Sequence, residues 1–198
     1  NTLLNQKVSF IKKKSTHWEV NTDFLLLKSK ILVLTMPIKQ VSELLKVSDM
    51  IINDLPTTKY KSFHTITLQS NDHISSEAVS ENNFSPWICN NHLKGLSTDQ
   101  NIFTINVNEE LSNVLLNIGN DKKNEILKSC LRDSGFNNYY SYSLHYWKYA
   151  FNENQENPIN YFDDKNMFGI CGDSFSIGQA NGAIVSAQNT FEVLNKIL

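Results

Sequence analysis

The chain opens on short apolar runs set between polar turns. Lys7 to Ile11, His17 to Val20, Phe24 to Leu27 and Ile31 to Leu34 each read as a strand, with Asn21-Thr22-Asp23 supplying turn chemistry between two of them. The run Ile31-Leu32-Val33-Leu34 is apolar at every position instead of alternating, the pattern of a strand covered on both faces in a parallel sheet. Thr35-Met36-Pro37 ends it, and proline suits the first turn of a helix. That helix carries Ile38, Val41, Leu44 and Leu45 on one stripe.

The middle of the chain alternates differently. Ser62 to Gln69 predicts a strand with His64, Ile66 and Leu68 on one face; Asn71 to Asn83 is polar and loop-like; Trp87 to Asn90 and Ile102 to Asn106 are further strands. Two helices follow. The first has Asn108 as cap, Glu109 and Glu110 in its first turn, the stripe Leu111, Val114, Leu115 and Ile118, and Gly119 as stop. The second has Asp121 as cap, the stripe Ile126, Leu127, Cys130 and Leu131, and Gly135 as stop. An aromatic strand, Tyr139 to Tyr149, leads into a polar loop around Pro158.

The last block has another texture. Met167 to Cys171 is a short buried-type strand that ends at Gly172-Asp173. A loop of small residues runs from there to Gly182, and a helix opens at Asn181-Gly182-Ala183 with the stripe Ala183, Ile184, Ala187, Phe191, Leu194 and Leu198. Residues 1–36 and 165–198 therefore read as parts of one α/β nucleotide-binding layer, and residues 37–164 as an inserted α+β domain.

Composition narrows the function. A hydrophobic fraction of 40% with 11% aromatics is that of a folded chain. Eighteen basic and 20 acidic residues leave a net charge of -2, and no basic patch with interleaved aromatics argues for a nucleic-acid partner. No run approaches the roughly 18 apolar residues of a membrane span. Cys89, Cys130 and Cys171 are far apart and form no C-x-x-C pair, which reads as reduced thiols in a reducing compartment such as the cytoplasm. The five histidines lack metal-ligand spacing. Because the chain starts at Asn1 directly in strand-like sequence, its start reads as a truncation.

The candidate chemistry lies in the last block. Glycine lets a ligand approach the backbone, an Asp at a strand end accepts hydrogen bonds from ligand hydroxyls, and a helix N-terminus favours an anion or an electron-rich oxygen. The same residues also read as a tight turn with an Asp cap.

Tyr146-Trp147-Lys148-Tyr149-Ala150, Gly169-Ile170-Cys171-Gly172-Asp173 and Asn181-Gly182-Ala183-Ile184-Val185-Ser186-Ala187 together resemble the C-terminal signature of renalase-like flavoproteins, within the amine-oxidase-like superfamily. Trp18-Glu19-Val20 followed by Val33-Leu34-Thr35-Met36-Pro37 is similar to the same family's passage between its domains. The resemblance implies the C-terminal part of a two-domain, Rossmann-like FAD/NAD(P)-binding flavoprotein, α/β with an α+β substrate domain lying over the flavin ring. It implies FAD as cofactor and hydride transfer from a small reduced substrate, a nicotinamide derivative or an amine, with reoxidation by oxygen. Carried onto this chain, Val8 meets the adenine, Thr35 and Pro37 flank the cofactor, Gly172 and Asp173 contact the ribityl and pyrophosphate region, and Asn181, Gly182 and Ala183 lie on the pyrimidine edge. His145, Trp147 and Tyr149 alternate on one strand face and form a candidate substrate pocket, a pattern equally given by aromatic packing. Lys148 points the other way, into solvent. No catalytic acid or base is implied.

One departure is large: the seven glycines make no G-x-G, so the dinucleotide turn of such a fold is not in this sequence. A non-catalytic scaffold is the alternative that follows. Gly172-Asp173-Ser174 also matches an esterase nucleophile turn, but no histidine follows His145 to serve as base.

Overall fold

In the computed structural model the first apolar runs form an antiparallel meander of β1 (Val8–Lys13), β2 (Trp18–Thr22) and β3 (Leu26–Ser29). The Thr22 hydroxyl accepts from the Leu25 amide at 2.9 Å and turns the chain between β2 and β3. The structure describes residues 2–72, 84–85, 87–95, 101–153, 157–176 and 179–198, together with the backbone alone at 93 and 94. These divide into two compact units, Asn1–Tyr60 with Phe151–Leu198, and Lys61–Ala150.

In the first unit, β4 (Leu32–Leu34) pairs in parallel with β10 (Phe168–Ile170), which in turn pairs antiparallel with β9 (Tyr161–Asp163). Helix α1 (Ile38–Val47) starts directly after Pro37 and buries Ile38, Val41, Leu44 and Leu45, the stripe its spacing predicts. Trp18 is fully buried against Phe168, ring centroids 5.0 Å apart, and its indole N–H donates to the Asn166 carbonyl at 2.8 Å. Burying that N–H without a partner would cost roughly 1–3 kcal/mol, so the bond fixes where the indole sits. β9 has no counterpart in the sequence reading, because three residues inside a polar stretch carry no period.

In the second unit, β5 (Tyr60–Ser70), β6 (Trp87–Asn90), β7 (Ile102–Asn106) and β8 (Tyr139–Asn152) make one sheet in the order β6-β7-β5-β8. Ile66, Leu68, Ile88, Phe103 and Ile105 bury one face against α2 (Glu109–Leu116) and α3 (Asn120–Asp133), which contribute Leu115, Leu127 and Leu131. The Asn108 side chain caps α2 as expected, accepting from the Leu111 amide at 2.8 Å. Two details differ from the sequence reading. Asn117 ends α2, and Gly119 is the N-cap of α3, leaving Asp121 in the first turn instead of at the cap. Within the expected loop Asn71 to Asn83, positions 73–83 lie outside the described residues.

Helix α4 (Gln179–Ile197) closes the chain and departs furthest from expectation. Gly182, Ser186 and Thr190 face inward, while Ile184 and Phe191 of the predicted apolar stripe are 57% and 66% exposed. The reason lies in the strand beneath it. A Cβ at Gly169 would stand 3.0 Å from the Phe162 ring and 3.5 Å from the Thr190 methyl, so the helix lies close against the sheet and only small side chains fit between.

Candidate functional site

The parallel pair β4 and β10 brings two of the sequence-predicted segments together. Leu34 faces Ile170, and the Cys171 amide donates to the Leu34 carbonyl at 3.1 Å, so Thr35-Met36-Pro37 and Gly172-Asp173 leave the sheet side by side. The C-terminal ends of adjacent parallel strands are where open α/β sheets hold their ligands. Gly172 has φ +147°, a conformation that side chains rarely adopt, so the corner favours glycine although an added Cβ would make only ordinary contact, 3.4 Å from the Thr35 carbonyl oxygen.

Polar side chains fix this corner from several directions. The Gly172 amide donates to Ser186 Oγ of α4 at 3.2 Å, tying the corner to the second turn of the helix. Asn152 Nδ2 donates to the Asp173 carbonyl at 2.7 Å, and Asn157 Nδ2 to the Ser174 carbonyl at 2.8 Å. Ser174 is buried and hydrogen-bonded to the Tyr60 hydroxyl, and both oxygens lie within reach of the Ile38 amide that opens α1, at 3.4 and 3.1 Å. That environment leaves Ser174 a structural hydroxyl instead of an esterase nucleophile, which must be open to substrate.

Burial raises the Asp173 carboxyl above its usual 3.8, while the Ser174 hydroxyl, 3.3 Å from Oδ1, and two backbone amides pull it back. Cys171, buried beside it, has its thiol pushed upward by burial, which makes it a poor nucleophile.

Asn181, Gly182 and Ala183 do not open α4 as the sequence predicts. They lie within its first turns, since the helix already runs at Gln179. Gly182 is buried, Ala183 half-buried and Asn181 exposed. Pro37 caps α1, and Thr35 is exposed at the strand end. Val8 lines a different hollow of about 600 Å³ with Met36, Gln40, Glu43 and Leu44, between the start of β1 and α1.

The second unit carries its own concave surface. The sheet face away from α2 and α3 holds a shallow cavity of about 400 Å³ lined by Phe63, Thr65, Thr104, Asn106, Trp147 and Tyr149. His145 does not line it; its ring packs edge-on against Trp147 with centroids 4.4 Å apart. Lys148 is exposed, and its ammonium lies 5.2 Å from the Tyr149 ring centre. Phe63, Thr65, Thr104 and Asn106 escaped the sequence reading because cross-strand neighbours leave no local pattern. Tyr60, Asn152 and Asn157 escaped it for the same reason.

Among the described residues, no helix is long and apolar enough to cross a membrane, and no group of His, Cys, Asp or Glu is placed to hold a metal ion. No family model and no curated protein matches the sequence. The fold, however, is found in solved structures. A protein named for protoporphyrinogen oxidase, from Exiguobacterium sp. 255-15, matches 96% of this chain and 47% of its own at TM-score 0.63 and 11% identity. Cyclohexylamine oxidase from Brevibacterium oxydans IH-35A matches 98% and 49% at TM-score 0.62 and 7% identity. A CLA-producing fatty acid isomerase from P. acnes matches 98% and 48% at TM-score 0.57 and 11% identity. The chain thus has the fold of these proteins and spans about half of their length.

Proposed function

We propose that this chain forms the flavin-ring end of an FAD site, together with a substrate face, in an oxidoreductase of the amine-oxidase-like superfamily. The observation that carries the reading is the corner at the ends of β4 and β10: a glycine at positive φ whose amide bonds to Ser186 of α4, followed directly by a half-buried carboxylate. Those residues fit the ring end of a flavin. Gly172 lets a ligand reach the backbone, Asp173 accepts from ribityl hydroxyls, and the early amides of α4 face an electron-rich carbonyl edge. A bound flavin supplies the hydride acceptor. The protein's part is to orient the substrate and exclude water. The adenine end has no counterpart here beyond Val8, since the sequence holds no G-x-G turn.

The substrate face is the aromatic sheet surface around Trp147 and Tyr149. Among its described lining residues there is no carboxylate to pair with an ammonium group. That supports a flat, uncharged reduced substrate of the nicotinamide type over a protonated amine, with oxygen as the final acceptor. A scaffold without a working cofactor site is the competing reading, and it predicts no flavin contact at the corner.

Riboflavin titrated into the 198-residue chain separates the two. Amide resonances of Gly172, Asp173 and Gly182 move on addition, and Asp173→Asn weakens the response several-fold. Shifts scattered over the surface, or none at these three amides, would leave only the scaffold.

A further inference from the structure

The helix side of the second unit has a cavity of its own. About 390 Å³ of space opens beside the start of α2 and the end of α3. Phe84, Leu111, Val114 and Cys130 supply its apolar lining, and Glu110 and Asp133 its charge. Lysine, arginine and histidine are absent from its described lining. Phe84 is buried, Leu111 and Cys130 are half-buried, and Val114 is 45% exposed. A hollow of this size, apolar with a few polar groups converging on it, has the make-up of a small-molecule site.

The two carboxylates differ in what the fold asks of them. Glu110 stands in the first turn of α2, where the positive end of the helix favours it. Asp133 is the last residue of α3, where the negative end of the helix disfavours a carboxylate. Among the described residues neither of them has an ion-pair partner. The charge of Asp133 reaches the cavity, for the Cys130 thiol is pushed up first by burial and then by Asp133. Two unpaired carboxylates beside an apolar hollow, one of them set against its own helix, suit a cation with an apolar body. The body would displace water from the walls, and the cationic head would donate to the carboxylates.

We propose that this cavity binds a small organic cation, an ammonium group on an aromatic or short aliphatic body, with Glu110 and Asp133 at the charge and Phe84, Leu111 and Val114 around the body. The site is distinct from the aromatic face at Trp147 and Tyr149, which lies on the other side of the sheet and has no carboxylate in its described lining. It rests on the second unit alone and stands whether or not the corner of the first unit binds a flavin.

Benzylammonium, benzyl alcohol and phenylacetate, titrated separately into the 198-residue chain and followed by its amide resonances, test the proposal. Benzylammonium moves the Leu111, Val114 and Cys130 amides in a saturable way at concentrations up to about 10 mM. Benzyl alcohol, which has the body without the charge, moves the same amides at about tenfold higher concentration, and phenylacetate leaves them in place. Glu110→Gln and Asp133→Asn weaken benzylammonium binding about threefold each and about tenfold together. Raising the salt to about 0.5 M weakens it as well. Equal binding of benzyl alcohol overturns the proposal, and so does benzylammonium binding that survives the double variant. Shifts centred on Trp147 and Tyr149, or none at Leu111, Val114 and Cys130, overturn it too.

Discussion

The two units bury comparable sets of apolar side chains but differ in what they leave outside. The second unit gathers Ile66, Phe103, Leu115, Leu127 and Phe136 between one sheet and two helices, and its exposed large apolar side chains are Val114 and Leu116 of α2 and aromatic residues of the sheet. The first unit builds its core around Trp18, Val41, Phe168 and Ile170, yet leaves Phe24, Leu26, Ile184 and Phe191 in the open. Its meander ends on β3, every residue of which is exposed. Burial thus separates the two: the first unit leaves more large aliphatic side chains exposed than the second does.

The sharpest way to break this contrast is to empty each core in turn. Trp18→Ala removes a fully buried indole with its hydrogen bond, and large-to-small changes of this kind cost about 3–5 kcal/mol. Hydrogen exchange should then show lost protection at Ile11 and Val20 while Ile66 and Ile105 keep theirs. Phe136→Ala, which removes the edge-to-face partner of Phe103, should do the reverse. If either change melts both sets of amides together, the units are one cooperative body.

A smaller effect sharpens the second unit alone. Asn108→Ala removes the cap of α2 and should cost about 1 kcal/mol, read as a lower urea midpoint with unchanged slope. His64 adds a dependence on pH. Burial, helped by Lys123 and His145, holds its imidazole below the usual 6.5, and its Nδ1 is buried with no hydrogen-bond partner. The unfolded chain therefore takes up the proton first, and stability drains away as pH falls below about 6.5. His64→Leu should flatten that acid limb in a pH series of thermal melts.

The smallest effect belongs to the first unit and has the opposite sign. Asp173 is held above its ordinary 3.8 by burial, so the folded corner prefers the protonated acid. That preference stabilises the fold at low pH and is lost as pH rises through the folded value, which leaves the charged carboxylate a burden at neutrality. Asp173→Asn should raise the neutral-pH Tm by ~1–2 °C, and the gain should vanish in acid. A lower Tm at neutral pH would mean that the carboxylate holds the corner together.

Much of this was legible in the residues. Pro37 marks the start of α1, Asn108 caps α2, and the spacing of Val41, Leu44 and Leu45 names their buried side. The uninterrupted apolar run ending at Leu34 announced the parallel pairing that sets Thr35 beside Gly172. The texture changes at 36/37 and 164/165, whereas the compact units change over at 60/61 and 150/151. Period alone could not tell which side of α4 faces its own sheet, since a large apolar stripe normally wins the core and here a glycine-tight contact excludes it. Nor could it reveal Tyr60, Asn152 and Asn157 around the corner, because a hydrogen bond between distant polar residues leaves no trace in local spacing.

The pairing of Leu32 with Phe168 has a consequence for how the molecule is made. The second unit is one unbroken stretch of chain, whereas the sheet of the first pairs a strand near the start with one near the end and is complete only once the last strand is synthesised. Until then the apolar run Leu32 to Leu34 has no sheet partner and is exposed to neighbouring nascent chains, and its pairing is the long-range contact of the fold.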